Sequence, residues 1–315
     1  MQLPYVIQGG MGAGVSDWKL ARAVSLGGQL GVVAGTALDV ILARRLQLGD
    51  PGGAMRRALG RLPVPGLAQR VLKRYFIPGG KPEDQPFKGT PLLGSVLSRE
   101  RSELIVAANF TEVFLAKENH GGQVGINYLE KIQLPSLPSL FGAMLAGVNF
   151  VLMGAGIPRA IPGVLDDLAK GQAVQIDLHV QGSSGTEEHF LHFDPKDLMP
   201  ESLPELARPR FLAIVSSLTM ASVMTRKASG KVDGLIIEGA SAGGHNAPPR
   251  GAMRLNAEGE PIFGPRDEVD LEAIARLGLP FWLAGSWSQA GALSRARAQG
   301  AQGIQVGTAF AFCAQ

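Results

Sequence analysis

Residues 238–246, EGASAGGHN, hold the side chain best suited to proton transfer. They follow a short apolar run, and His245 comes directly after Gly243 and Gly244. An imidazole titrates near neutral pH, so a histidine exposed at the end of a strand can take a proton from a carbon acid. We therefore interpret His245 as a catalytic base. Surface positions are predicted for the other four histidines, His120, His179, His189 and His192.

Two glycine–hydroxyl pairs occur near the end of the chain, Gly285-Ser286 and Gly307-Thr308. Each pair follows a short apolar run. Backbone N–H groups and a hydroxyl are the groups with which barrels bind phosphate in the loops after their last two strands. Helix capping explains either pair alone. Two successive pairs with the same chemistry favour a phosphate site.

A glycine-rich loop near the start of the chain contains Gly9, Gly10 and Met11. It could lay bare backbone against a flat ligand, although a tight turn explains it as well. Ser16 or Asp17 is predicted to cap the helix that follows. The loop does not match the dinucleotide fingerprint GxGxxG, because no ribose-binding acid follows at the expected distance.

Asn127 follows a further apolar run and can both donate and accept hydrogen bonds, as the edge of an isoalloxazine ring requires. Metal-binding spacings such as HExxH or CxxC are absent from the sequence, so no metal is predicted. We interpret Cys313 as a packing residue, because nothing near it in the sequence resembles a base.

Eight short apolar runs, most of them bounded by glycine, must position these residues. Continuous apolar runs are typical of strands covered on both faces of a parallel sheet. Eight strand-then-helix units predict a (β/α)8 barrel, with an open α/β sheet as the alternative. The runs lie near residues 5, 31, 123, 149, 211, 234, 280 and 303.

The 315 residues are expected to form one barrel domain with two long insertions. The first, about 36–122, contains amphipathic helical stretches at 53–62 and 66–75 and a segment, 103–117, that could be helix or strand followed by helix. The second, about 173–208, alternates apolar and polar residues as a β-hairpin does, before the fifth strand. After the eighth strand, the sequence shows no helix that would close the barrel, which suggests that the chain is a fragment.

Composition limits the class of protein. Hydrophobic residues make up 45% of the chain and charged residues 18%, which is enough apolar side chain for a substantial core. A net charge of +3 does not imply nucleic acid. Apolar runs are shorter than the roughly 20 residues of a membrane helix, and no signal peptide is visible. One cysteine allows no intrachain disulfide and fits a cytoplasmic location.

Basic residues are concentrated between positions 44 and 74. Eight arginines and lysines lie there against one acid, Asp50. A cationic face could attract an acidic carrier protein over long range. A solvated helix face is the simpler interpretation, and we favour it.

Four segments together resemble the nitronate monooxygenase family, also called 2-nitropropane dioxygenase-like. The resemblance extends over the barrel but not over the insertions. The same signature occurs in FMN-dependent enoyl-acyl-carrier-protein reductases, so it indicates the superfamily better than the reaction. The segments are IQGGMGAGVS at 7–16, EGASAGGH at 238–245, LPFWLAGS at 279–286 and GIQVGTAFAF at 303–312.

This resemblance implies FMN at the strand ends and His245 as base or substrate-positioning group. Two departures stand out: Glu238 replaces a glutamine that is frequent in the family, and Trp287 follows Ser286 where an aliphatic residue is usual. A carboxylate there would disfavour the anionic reduced ring, and Trp287 would narrow the site. The implied FMN-binding residues are Gly9, Gly10, Met11, Asn127, Glu238, Gly243, Gly244, Gly285, Ser286, Gly307 and Thr308.

Three hypotheses follow from the sequence and the resemblance. The first is oxidation of small nitronates or nitroalkanes with dioxygen, with His245 as base. The second is an FMN-dependent enoyl-acyl-carrier-protein reductase or an NAD(P)H:acceptor reductase. The third is a non-catalytic flavin-binding module. The substrate, the electron donor and the oligomeric state, with a homodimer among the options, stay open.

Overall fold

The centre of the protein is a ring of parallel strands. A computed structural model describes residues 2–180, 182, 188–201, 203–243 and 247–313. The described residues contain the strands β1 (Val6–Gln8), β2 (Gly31–Ala34), β3 (Val124–Leu129), β4 (Phe150–Gly154), β5 (Val174–Asp177), β6 (Phe190–Phe193), β7 (Arg210–Val215), β8 (Gly234–Glu238), β9 (Phe281–Ala284) and β10 (Gly303–Val306).

Eight of these strands form one sheet that closes on itself. Their order is β1-β10-β9-β8-β7-β4-β3-β2, with every pair parallel. Backbone hydrogen bonds complete the ring, because Gln8 N donates to Leu30 O (2.9 Å) and Leu30 N donates to Val6 O (3.1 Å) just before β2. The predicted (β/α)8 barrel is therefore confirmed, with each of the eight predicted runs as one strand.

The two faces of each strand meet different surroundings, because successive side chains point to opposite sides. One buried cluster fills the inside of the ring with residues such as Phe150, Leu152, Ile236 and Trp282. The alternate residues of the same strands, such as Ile237, pack outward against the helices. The interior is therefore a packed core without room for a ligand.

Helices alternate with the strands and cover the outside of the ring. Asp17 begins the first helix, where its carboxylate accepts hydrogen bonds from Lys19 N and Leu20 N. The helices are α1 (Trp18–Leu26), α2 (Leu38–Gln47), α3 (Ala54–Leu59), α4 (Leu67–Tyr75), α5 (Arg99–Lys117), α6 (Ser136–Leu145), α7 (Ile161–Ala169), α8 (Leu218–Lys227), α9 (Leu271–Ala275), α10 (Ala292–Ala298) and α11 (Thr308–Ala311).

The long connection between β2 and β3 folds as two layers. The segment 103–117, left open between strand and helix, is entirely helical and belongs to α5. This helix packs against β2, β3, α1 and α6, so it occupies the position of a barrel helix. Helices α2, α3 and α4 cover its outer side; α3 and α4 correspond to the amphipathic stretches predicted at 53–62 and 66–75, whereas α2 was not predicted.

The second connection contains the predicted β-hairpin. Strands β5 and β6 pair antiparallel, with Val174 opposite Phe193. Their buried residues face α6 and α7, while residues such as His192 point to solvent.

None of the helices in the described part of the chain has the length and apolar character that a membrane span requires.

Candidate functional site

Three neighbouring strands present side chains at one level of the barrel mouth, by which we mean the carboxyl ends of the strands. Gln305 on β10 is paired with Ala284 on β9, which is paired with Glu238 on β8. All three lie on the faces that continue the interior cluster through Ile236 and Trp282. The apolar interior therefore ends in a polar layer to which Glu238 and Gln305 contribute.

The first loop lies at the same mouth, between the end of β10 and Asn127 on β3. A Cβ atom placed on Gly10 would lie 2.6 Å from Asn127 Cβ, so the bare backbone of the loop touches Asn127. A Cβ on Gly307 would lie 3.6 Å from Met11 Sδ, so Met11 covers the end of β10. Gly9 lies against the side chain of Gln305. The structure thus brings together segments that are distant in sequence.

Ser16 holds this loop in shape through its buried hydroxyl. Its Oγ accepts hydrogen bonds from Gln8 Nε2 (3.0 Å) and Met11 N (3.0 Å) and donates one to Gly9 O (3.2 Å). Gln8 also joins the loop to β2, because its Oε1 accepts from Val32 N (2.9 Å). Asp17, not Ser16, caps α1. The hydrogen bonds by which Gln8 and Ser16 hold the loop were not predicted, because nothing in the sequence shows which side chain points into the loop.

Replacing Ser16 with alanine is expected to lower the free energy of unfolding by about 1–3 kcal/mol, because buried donors and acceptors lose their partner. Urea unfolding followed by circular dichroism measures this change. Ser294→Ala, at an exposed position on α10, is the matched control and should change stability little. Equal losses in both variants would contradict the role of the Ser16 hydroxyl.

The loops after β8, β9 and β10 approach one another at the mouth. A Cβ on Gly285 would lie 3.0 Å from Ala242 N, and one on Gly243 would lie 3.6 Å from Thr308 Oγ1. Ser286 has a left-handed backbone (φ 57°), and its Oγ donates to Ser241 O (3.3 Å). Of the residues predicted to bind phosphate, Gly243 and Thr308 are therefore adjacent in space, and Gly285 and Ser286 contact the loop that precedes Gly243.

Burial changes the acidity of Glu238. The residue is half-buried in the mouth, and this partial desolvation raises the pKa of Glu238 to about 7. None of the described residues donates a hydrogen bond to it or pairs with it as a cation. Near neutral pH the group therefore exists as a mixture of acid and carboxylate.

Two of the predicted site residues, Gly244 and His245, lie outside the described residues. The segment that contains them starts at the end of β8, directly beside the mouth. The role of His245 therefore stays a prediction from the sequence. The other predicted site residues all lie at the mouth or on the loops that border it.

The connection between β8 and α9 covers residues 239–270, and its length was not predicted from the sequence. Within it, Arg250 and Asp267 are tied together, because Arg250 N donates to the Asp267 carboxylate (2.8 Å). The Arg250 guanidinium group donates to Ser216 O after β7 (3.2 Å) and to Arg266 O (2.7 Å). These contacts fix the connection over the ends of β7 and β8.

Open space near the strand ends is unevenly distributed. A cavity of about 20 Å³ lies beside Glu238, between Ser216 and Phe263. A larger cavity, about 430 Å³, opens at the ends of β8 and β9 and is bordered by Phe263 and Trp287. Trp287 therefore borders the larger cavity and is not among the residues that line the small cavity beside Glu238. A further cavity of about 550 Å³ lies between α4 and the start of α5, away from the mouth.

Most of the basic residues between 44 and 74 are paired with acids within the protein. Arg70 forms a two-pronged ion pair with Glu103 of α5 (2.8 and 2.9 Å). Similar pairs join Arg57 to Glu118 (2.8 Å) and Arg56 to Asp50 (3.1 Å). The last two pairs are Arg45 with Glu112 and Arg74 with Glu100. These pairs reduce the cationic field that was considered for attracting an acidic carrier protein.

No protein-family model matches the chain, and no curated protein matches it either. Three solved structures are similar over nearly its whole length: a mutant of FabK from Thermotoga maritima (16% identity, TM-score 0.48), nitroalkane oxidase from Streptomyces ansochromogenes (17%, 0.46) and the enoyl reductase domain of MlnA from Bacillus amyloliquefaciens (12%, 0.45). The matches cover 98%, 98% and 97% of this chain and 63%, 66% and 53% of those chains. Likeness this distant carries no functional argument, and the barrel is established by the chain's own strand pairing.

Proposed function

We propose that the chain is an FMN-dependent oxidoreductase that oxidises small nitronates or nitroalkanes with dioxygen. The observation that carries this proposal is the meeting of the first loop, Asn127 and the glycine–hydroxyl loops after β8, β9 and β10 at one barrel mouth. A flat ring with a phosphate tail needs bare backbone on one side, hydrogen-bonding groups at its edges, and backbone N–H groups and hydroxyls for the phosphate. The residue types at the mouth support the proposal in each of these respects.

The residues at the mouth fit FMN in two further respects. The Oε1 atom of Gln305 is buried without a hydrogen-bond partner among the described residues, so a ligand would satisfy it. A Cβ on Gly243 would meet only the Thr308 hydroxyl, at 3.6 Å, so a small polar group borders this part of the loops. In this proposal Gly9, Gly10, Met11, Asn127 and Glu238 border the ring. Gly243, Gly244, Gly285, Ser286, Gly307 and Thr308 surround the phosphate.

Bound FMN would supply a two-electron acceptor that dioxygen reoxidises. The chain's own contribution is to orient the substrate and to move its proton. In the proposal, the imidazole of His245 accepts the proton from the α-carbon of a nitroalkane, which leaves the nitronate. The polar layer formed by Asn127, Glu238 and Gln305 orients the bound groups over the apolar interior.

Replacing His245 with alanine is expected to lower nitroalkane turnover by about 10²–10⁴-fold, the usual contribution of a general base. Oxygen uptake measures the turnover, and absorbance of the purified protein measures FMN content, which should not change. His192→Ala, on the exposed face of the hairpin, is the matched control. Unchanged turnover in the His245 variant would exclude this residue as the base.

The absorption spectrum also separates the proposal from its alternatives. Flavin that is reduced by a nitronate but not by NADPH supports the proposal. Reduction by NADPH alone would mark an NAD(P)H-dependent reductase instead, and bound flavin that neither compound reduces would mark a binding module. A protein that binds no FMN would overturn all three.

A further inference from the structure

Glu238 occupies a special place in the polar layer of the mouth. It continues the inward face of β8 above Ile236, at the level of Ala284 and Gln305 on the next two strands. Its side chain borders the small cavity that it shares with Ser216 and Phe263. An ionisable group is thus built into the wall that would face a bound ligand.

The charged groups around Glu238 are already engaged elsewhere. Arg250 shares its cavity, but the Arg250 guanidinium group donates to the carbonyl oxygens of Ser216 and Arg266. The Asp267 carboxylate accepts backbone hydrogen bonds from Gly264 and Arg250 (2.8 Å each). The neighbouring strand ends contribute Ser216, Ala284 and Gln305, none of which titrates. Neither Arg250 nor Asp267 contributes to the shift of the Glu238 pKa, whose cause is burial, and burial favours the neutral form of the carboxyl group.

We propose that Glu238 is protonated when the cofactor binds, so that its carboxylic acid O–H donates a hydrogen bond to an acceptor atom on the ring edge of the cofactor. This inference rests on the proposed function, because it concerns the same ligand. A neutral acid is a donor, whereas a carboxylate can only accept. The ring edge and Glu238 therefore attract one another only while the proton is present.

The proposal predicts that FMN affinity depends on pH. Burial raises the pKa of Glu238 from 4.5 to about 7 in the ligand-free protein. A ligand that prefers the protonated form binds most tightly below this pKa and raises it further. Above the midpoint, the dissociation constant should increase by about tenfold per pH unit, because each unit removes one decade of protonated acid. Glu238→Gln keeps an N–H donor but cannot titrate, so its affinity should not change through this pH range.

The experiment titrates FMN-free protein with FMN and follows the quenching of flavin fluorescence between about pH 7 and about pH 9, above the second ionisation of the FMN phosphate at about pH 6. Other groups that titrate in this range, such as the α-amino group and the Cys313 thiol, are the same in all variants. Wild type, Glu238→Gln and His245→Asn are compared. The proposal expects a pH-dependent dissociation constant in wild type and His245→Asn, and a constant one in Glu238→Gln. A flat wild-type profile, or the same dependence in Glu238→Gln, would overturn it.

A second measurement keeps the inference separate from the proposed function. Infrared spectra of the ligand-free protein record the C=O stretch of protonated carboxyl groups across the same pH range. If FMN fails to bind any variant, the proposed function is lost. A carboxyl band that titrates near neutral pH in wild type and is missing in Glu238→Gln then still supports Glu238 as the proton-holding group. The absence of such a band overturns the inference.

Discussion

Gly303→Ala is expected to lower the free energy of unfolding by about 3 kcal/mol or more, at the upper end of what overpacking costs. A Cβ atom at this position would lie 1.9 Å from Tyr5 O and 2.7 Å from Tyr5 C. Both are backbone atoms, so no side chain can rotate away. The extra methyl group must push β1 from β10, where Ile304 N donates to Tyr5 O (2.9 Å) and the barrel closes.

Urea unfolding followed by circular dichroism measures this loss as a lower midpoint. Gly89→Ala is the matched control, because a Cβ there would meet nothing within 4 Å. That substitution should change the free energy by less than about 0.5 kcal/mol, as is usual for surface positions. Similar midpoints for the two variants would show that the β1–β10 contact tolerates a side chain.

Arg101→Met is the second substitution with a large expected effect, about 3–5 kcal/mol, because it leaves a buried charge without its partner. Arg101 at the start of α5 forms an ion pair with Asp39 of α2, and both side chains are less than one tenth exposed. The arginine also donates to Pro91 O (2.7 Å). Chemical denaturation at neutral pH measures the effect.

The control for this prediction is the double variant Asp39→Leu with Arg101→Met. Replacing both partners of a buried pair by apolar residues is often close to neutral, so most of the lost stability should return. A double variant as unstable as the single one would mean that the charge pair is not the cause. The packing of the Arg101 side chain would then be responsible.

The fold was largely predictable because the barrel strands are short apolar runs, most of them next to a glycine. Such runs are recognisable without knowledge of the partners, since both faces of the strand are buried. The helix α5 was not recognisable as a helix throughout, because it is buried on all sides and so has no amphipathic periodicity. The ion pair of Arg70 with Glu103 could not be inferred either, since contacts across helices leave no local pattern.

The residues of the candidate site were predicted to meet at the mouth from positions where glycine or a hydroxyl follows a strand. Gly10, Gly285 and Thr308 belong to this class, and all of them lie at the mouth. Gln305 was missed because it lies inside a strand, where only its inward orientation marks it as a site residue. The raised pKa of Glu238 could not be predicted from the sequence either, because it depends on how far the neighbouring strand ends exclude water from the carboxyl group.

The burial of α5 means that the barrel and its outer helices form a single cooperative unit. Its polar residues Arg101, Glu103 and Glu112 find their partners on α2 and α4, so neither layer satisfies its charges alone. Removing the outer helices to obtain a minimal barrel would leave these charged groups of α5 without partners in apolar surroundings. Protein engineers should therefore treat residues 38–117 as part of the scaffold, and place grafted segments in the exposed hairpin.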